Sequence, residues 1–303
     1  MESKNLITFF LLLALFFAAC SNDTKPAKQN QTNIHESHQI NTYGADSVDI
    51  EIFEKIIQYA EIEKLSEETL SEIEIAIARY FLSTPYVAKT LDVNGDEHLV
   101  VNLREFDCTT FLENVVSLSL CVKNRTTDFE TYCQTLIKFR YRSGIIEEYP
   151  SRLHYFTEWL LDNEKKQLIS IVSNNFATDI IDPTVNFMST HLQSYPQLVN
   201  EAFVQQIEEK EREISLAKLR FVPKEKIHDM QKHIQNGDLI AITTTISGLD
   251  IAHVGLAYFV NDQLHLFHAS STQKKVVISE KTLQDYLKGI KKNNGIIVAR
   301  LRE

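Results

Sequence analysis

The sequence predicts an α+β domain, and three observations carry that reading. Apolar residues recur at helical spacing through most of the chain up to about residue 235. After residue 236 the period shortens to that of strands, which places helices first and an antiparallel β-meander last. Only 8 Gly and 6 Pro occur in 303 residues, which disfavours a Gly-rich sandwich, a repeat barrel or a collagen-like chain. A 44% hydrophobic and 24% charged composition excludes a chain disordered throughout. The net charge of -10 comes with no basic stripe, so nucleic acid is not an expected partner. Four Cys are too few for a disulfide scaffold of this size.

Residues 1–20 read as an address. Lys4 precedes a short apolar run from Leu6 to Ala19, and Ala18-Ala19-Cys20 closes it. The run is shorter than the roughly 20 residues that a membrane span needs, so it reads as a secretory signal. Residues 21–48 are polar, lack periodicity and read as a flexible tether.

From residue 49, Ile52, Ile56 and Tyr59 share a helical face, and Ser66-Glu67-Glu68-Thr69 marks a second helix start. Pro85 ends that helical region. Asn94-Gly95-Asp96 reads as a turn, and residues 98–102 as a short strand. Residues 108–122 form a helix with Asp107 as N-cap and Phe111, Val115, Leu118 and Val122 as its buried stripe. A mostly helical stretch runs from about 128 to 235, punctuated by Pro150, Pro183, Pro196 and Pro223. Strands follow at 239–243, 251–260, 263–269 and 275–278, then a helix at 282–291 and a last strand at 295–301.

The candidate nucleophile is Cys108. The first turn of a helix offers free N–H groups and a favourable dipole for a thiolate. Such positions, or a neighbouring imidazolium, lower a thiol from about 8.5 into the range of about 3.5–7.5. Cys121 and Cys133 lie inside helical runs and suit buried structural roles or a mutual pair. A thiol nucleophile needs a base, and His253 stands at the start of a strand. Alternation puts His253, Gly255 and Ala257 on one face, whose small residues leave room for a substrate. If Asn261-Asp262 is a two-residue turn, His268 opposes Gly255 and shares the face of His253, while His265 opposes Tyr258 on the other face. His268 is therefore the candidate that orients the base.

The phrases TPYVAKTL, LREFDCTTFLENV, GDLIAITT and LDIAHVGLAYFVNDQLHLFHASS together resemble the NlpC-type papain-like cell-wall hydrolases. Thr109-Thr110 replaces the usual Ser-Gly after the Cys, and Lys89-Thr90 replaces a Gly-Gly. With SRLHYFTEWLLDN (151–163) and NFMSTHLQSYPQL (186–198), the departures resemble one branch, the N-acetylmuramoyl-L-alanine amidase-like family. The resemblance covers roughly residues 50–303. It implies a papain-like NlpC-type core in a single domain at 49–303, with a helical substrate-binding insertion at 130–235 and a β-meander at 236–303. It implies Cys108 as nucleophile, His253 as base, His268 as orienter and Tyr86 near the oxyanion. Ser151, Arg152, His154 and Tyr155 become the candidate substrate-binding group, since an Arg can grip a carboxylate and a Tyr can stack on a sugar. Ser189, His191 and Tyr195 are further candidates for the cleft, while Phe156 and Trp159 suit the core behind it. The residues before Cys20 resemble a bacterial lipobox, which implies lipidation of Cys20 and an extracytoplasmic, membrane-anchored protein.

The expected reaction is hydrolysis of the bond between N-acetylmuramic acid and L-Ala in peptidoglycan or muropeptides, with no metal and no cofactor. A stem-peptide endopeptidase would share the same catalytic residues. A zinc amidase using Cys108, His253 and His268, or an anchored binding module with a dead site, are the readings from other classes. The absence of HExxH-type spacing and the intact Cys and His set weigh against them.

Overall fold

The structure is a computed structural model that describes residues 43, 45–93 and 95–303. The leader with Cys20, most of the tether and Asn94 lie outside the described residues.

Helix α1 (Ser47–Ile62) opens under an Asp46 cap that accepts the Val48 N–H at 2.9 Å. Helix α2 (Leu70–Tyr80) opens on a reciprocal capping box between Thr69 and Glu72. A 3-10 turn over Leu65–Glu67 precedes it, so the cap falls on Thr69. Residues 98–102 are not a strand. Leu99, Val101 and Leu103 are buried in alternation, as a strand would bury them. Their backbone instead meets side chains: the buried Asp49 accepts the Leu103 N–H at 2.8 Å, and Arg140 donates to the Val100 carbonyl.

Helix α3 (Cys108–Lys123) starts at Asp107, whose carboxylate accepts the Thr110 N–H at 2.8 Å while the Thr110 hydroxyl accepts the Asp107 N–H at 2.9 Å. The expected stripe is buried, but so are Thr110, Glu113, Asn114, Ser117 and Ser119, because helices and sheet surround α3. The buried Glu113 therefore needs partners. It accepts from Arg140 at 2.7 Å and from the Trp159 indole at 3.2 Å.

The stretch from 128 to 235 holds α4 (Phe129–Arg140), α5 (Phe156–Lys165), α6 (Ser173–Phe176), α7 (Phe187–Thr190), α8 (Glu201–Ser215) and α9 (Ile227–Met230). It also contributes strands β1 (Ile169–Ser170), β2 (Asp179–Ile181) and β3 (Leu219–Pro223), which the helical reading missed. Two to five residues are too few for alternation to stand out. The remaining elements are β4 (Leu239–Thr244), β5 (Ile251–Val260), β6 (Gln263–Ser270), β7 (Lys275–Ile278), α10 (Leu283–Lys288) and β8 (Asn293–Leu301).

Among the described residues, eight strands form one sheet in the order β2-β3-β8-β4-β5-β6-β7, with β1 also on β8. All pairs are antiparallel. Strands β4 to β7 form the expected meander, but β8 returns to the far side of β4. Periodicity marks a strand without naming its neighbour, and α10 supplies the connection. One sheet face, with Ala241, Leu256, Phe267 and Ile297, packs in the same core as α3 residues Phe111 and Val115. The opposite face, with Ile240, Ala257, Leu266 and Val298, packs with Leu283 and Leu287 of α10.

Candidate active site

Strands β5 and β6 are joined at Asn261-Asp262, with φ of 48° and 60°. Both residues tolerate the left-handed region, which a two-residue hairpin turn requires. The resulting register pairs Tyr258 with His265 and Leu256 with Phe267. His253 Nε2 and His268 Nδ1 then lie 2.6 Å apart, with the rings at 86° to each other. His265 turns elsewhere and meets the Ser279 carbonyl at 2.8 Å.

The small residues beside His253 serve a different purpose from the one the sequence suggested. A Cβ on Gly255 would stand 2.9 Å from the His268 Cβ, so the missing side chain admits His268, not a substrate. Ala257 is buried in the core over α10.

Cys108, half-buried, shares a cavity of about 180 Å³ with Thr109, His154, Tyr155, Tyr195 and His253. A backbone hydrogen bond from Val254, next to His253, and the Thr109 hydroxyl both favour a Cys108 thiolate. Burial, followed by the neighbouring Asp107 carboxylate, outweighs them and pushes the thiol up to about 11. Burial lowers His253 to about 4, and burial together with His253 lowers His268 to about 3. The resting site therefore holds a neutral thiol and two neutral imidazoles, not the lowered thiol that the helix start led us to expect. Helix-terminal N–H groups do not offset the loss of water around the sulfur.

Only one proton lies between the two imidazoles. With it on His253 Nε2, His253 Nδ1 carries a lone pair and can take a proton. Tyr86 is half-buried, and its phenol is pushed up by burial and then by Cys108, so it senses the charge on the sulfur.

The insertion reaches the cavity through few contacts. Asp250, in the cavity wall, accepts the Thr157 N–H at 2.7 Å and so caps the start of α5. His154 Nε2 lies 2.9 Å from the Tyr149 carbonyl. A carbonyl only accepts, so the proton sits on Nε2 and Nδ1 is an acceptor. Burial and the nearby Arg152 cation lower His154 to about 3, which keeps it neutral. The Tyr155 hydroxyl donates to Glu211 at 2.6 Å and accepts the Met188 N–H at 2.8 Å.

Arg152 and Ser151 do not line this cavity. The Arg152 guanidinium is buried, donates to the Leu91 carbonyl at 2.9 Å and lies 3.5 Å from Glu97 and 3.7 Å from Asp92. The protein's own groups occupy it, so an open carboxylate grip is not what this Arg provides. The buried Ser151 hydroxyl accepts the Glu147 N–H at 3.2 Å. Tyr195 lines the cavity, whereas His191 stacks on Phe187 and the Ser189 N–H is held by Glu211. Trp159 is fully buried and stacks between Phe139 and Phe156. Cys121 and Cys133 are buried free thiols. A second cavity, of about 250 Å³, lies where α3 ends, around Val122 and Arg125, and holds none of the candidate groups.

The N-acetylmuramoyl-L-alanine amidase-like family matches residues 76–296, which span every candidate described above except the outlying Cys20. The chain belongs to this family. It is similar to an N-acetylmuramoyl-L-alanine amidase from Bacteroides uniformis, with 36% identity over 77% of this chain and 99% of that one and a TM-score of 0.75. A putative xylanase from Bacteroides fragilis is 36% identical over 75% of this chain and 99% of that one, with a TM-score of 0.72. A Legionella pneumophila protein at 20% identity, covering 84% of this chain and 96% of that one with a TM-score of 0.61, shares the fold. No curated protein matches.

Within this amidase-like chain, two neighbours of the site escaped the sequence. Tyr286 on α10 packs edge-on against His268 with ring centroids 5.5 Å apart, and its phenol also senses Cys108. No spacing tied a residue on α10 to a strand beyond β7. Asp250 was legible only as the start of the Asp-Ile-Ala-His phrase, with no sign that it caps a helix 93 residues earlier.

Proposed function

We propose that this protein is a cysteine amidase that hydrolyses the bond between the lactyl carbonyl of N-acetylmuramic acid and L-Ala in peptidoglycan or its fragments. The observation that carries this is the shared cavity of Cys108 and His253, with His253 Nε2 held at 2.6 Å by His268, in a chain of the amidase-like family. His253 Nδ1 takes the Cys108 proton as the sulfur attacks the lactyl carbonyl. The imidazolium keeps its Nε2–H directed at His268 Nδ1. The oxyanion is met by backbone N–H groups at the α3 start and by the Tyr86 hydroxyl. Collapse breaks the C–N bond, and His253 gives its proton to the departing L-Ala amine. Water, deprotonated by His253, then releases the thioester. Tyr155 is fixed by Glu211 at the substrate wall, and His154 Nδ1 accepts from a substrate N–H or O–H. Arg152 and Ser151 support that wall from behind.

The lipobox-like leader supports an anchor at Cys20 and an extracytoplasmic site, where peptidoglycan lies. Cys20→Ser is expected to move the protein from the membrane fraction to the soluble one.

Mass spectrometry of products from a defined muropeptide tests the reaction. Free peptide beginning at L-Ala is the expected product, lost in Cys108→Ala and unchanged by a chelator. A cut inside the stem, or loss with chelator that zinc restores, rules the reading out.

A further inference from the structure

His268 is 1% exposed, and its hydrogen bonding to other described residues is confined to the 2.6 Å contact of Nδ1 with His253 Nε2. One such contact leaves the plane of the imidazole open. The last torsion of a histidine is broad and roughly two-fold, so a half-turn of the ring costs little in itself. That half-turn would put a C–H where the Nδ1 lone pair stands and leave the His253 Nε2–H without an acceptor. Packing therefore has to fix the plane.

Gly255 admits the His268 Cβ, and the ring beyond it meets two other rings. One is His253. The other is Tyr286 of α10, at 73° to the imidazole with ring centroids 5.5 Å apart, an edge-to-face contact that restricts both rings. Tyr286 is itself held in place. Its N–H donates to the Thr282 carbonyl at 2.8 Å, and Leu283 and Leu287 on the same helix are fully buried in one core with Ala257 and Leu266 of the histidine strands. Its hydroxyl makes no hydrogen bond to another described residue, so what it offers His268 is the ring. An aromatic ring also adds no carboxylate beside His268, which stays neutral and keeps its lone pair for His253. We infer that Tyr286 is a positioning residue for the hydrolysis: its ring holds the plane of His268, and through it the Nδ1–Nε2 contact that turns His253 toward Cys108. The inference rests on His253 being the base of the proposed amidase.

The test pairs steady-state kinetics on a muramyl-L-Ala substrate with NMR of the imidazole nitrogens in the substrate-free protein. Tyr286→Leu is expected to lower kcat by about tenfold to a hundredfold with KM nearly unchanged, since the base is misaligned and the substrate wall is not. In the same variant the His268 nitrogens should lose their fixed pattern, Nδ1 bare and Nε2 protonated, and average between tautomers. Tyr286→Phe keeps the ring and should keep both kcat and the pattern. Tyr286→Met, which fills much of the space without a planar face, should behave as the Leu variant does and takes its place if that one fails to fold. A folded Leu or Met variant with wild-type kcat overturns the inference. So does a loss of kcat with the His268 pattern intact, or a Phe variant that loses as much as Leu. Failure of the amidase reading appears separately, as wild-type protein that cuts no muramyl–Ala bond, while the imidazole spectra need no substrate and still report on Tyr286.

Discussion

A Cβ on Gly255 would stand 2.9 Å from the Cβ of His268 and 2.7 Å from the carbonyl oxygen of Phe267. Both neighbours belong to β6, so the absent side chain on one strand sets the position of the imidazole on the next. Gly255→Ala is expected to push His268 off His253. A misplacement of about 1 Å can cost about a hundredfold in rate, while overpacking of this kind costs about 1–3 kcal/mol of stability. Kinetics beside a thermal melt check this. Full activity with an unchanged melt would show that the strands relax freely.

The two histidines of β6 should separate cleanly. His268→Ala is expected to lower kcat by about 10²–10⁴ with the fold intact, because it removes the group 2.6 Å from His253 Nε2. His265→Ala removes a contact to the Ser279 carbonyl and should lower the melting temperature while retaining turnover. Equal losses of kcat in the two variants would contradict the register.

Acid should destabilise the protein through its buried imidazoles. His253, His268 and His154 sit at about 4, 3 and 3 in the folded chain, below the value of about 6.5 for an unfolded imidazole. As pH falls below 6.5 the unfolded chain binds these protons first, so stability drops between pH 6.5 and about 3. Urea midpoints across this range should fall in the wild type and fall less in His154→Gln. A flat profile would refute the assignment.

The neutral resting thiol makes a separate claim. With Cys108 pushed up to about 11, iodoacetamide should react faster at each step from pH 7 to pH 9. A rate that is already level at pH 7 would reveal a standing thiolate–imidazolium pair.

Arg152→Ala should act first on stability. Removing a guanidinium beside the nearly buried Glu97 leaves a carboxylate without its cation, at a cost of about 3–5 kcal/mol. The melt should fall steeply, and Cys108 alkylation in the folded fraction should keep its wild-type rate. A variant that melts normally yet loses kcat/KM on muropeptides would restore Arg152 as a substrate contact.

Adjacent residues alone were enough to place most local elements and to pair the two histidines. The α3 boundary followed from Asp107 as its N-cap, and the β5–β6 register from Asn261-Asp262, because caps and tight turns are written in adjacent residues. That register also put His268 beside His253. Tertiary structure decided what depends on distant neighbours. It set β8 against β4, added β1 to β3 to the sheet, and left 98–102 without a partner strand. It enclosed Arg152 among Leu91, Asp92 and Glu97, brought Tyr286 to His268, and capped α5 with Asp250. It also reversed the expected state of Cys108, because desolvation depends on everything packed around a sulfur, and a helix start records only the first turn.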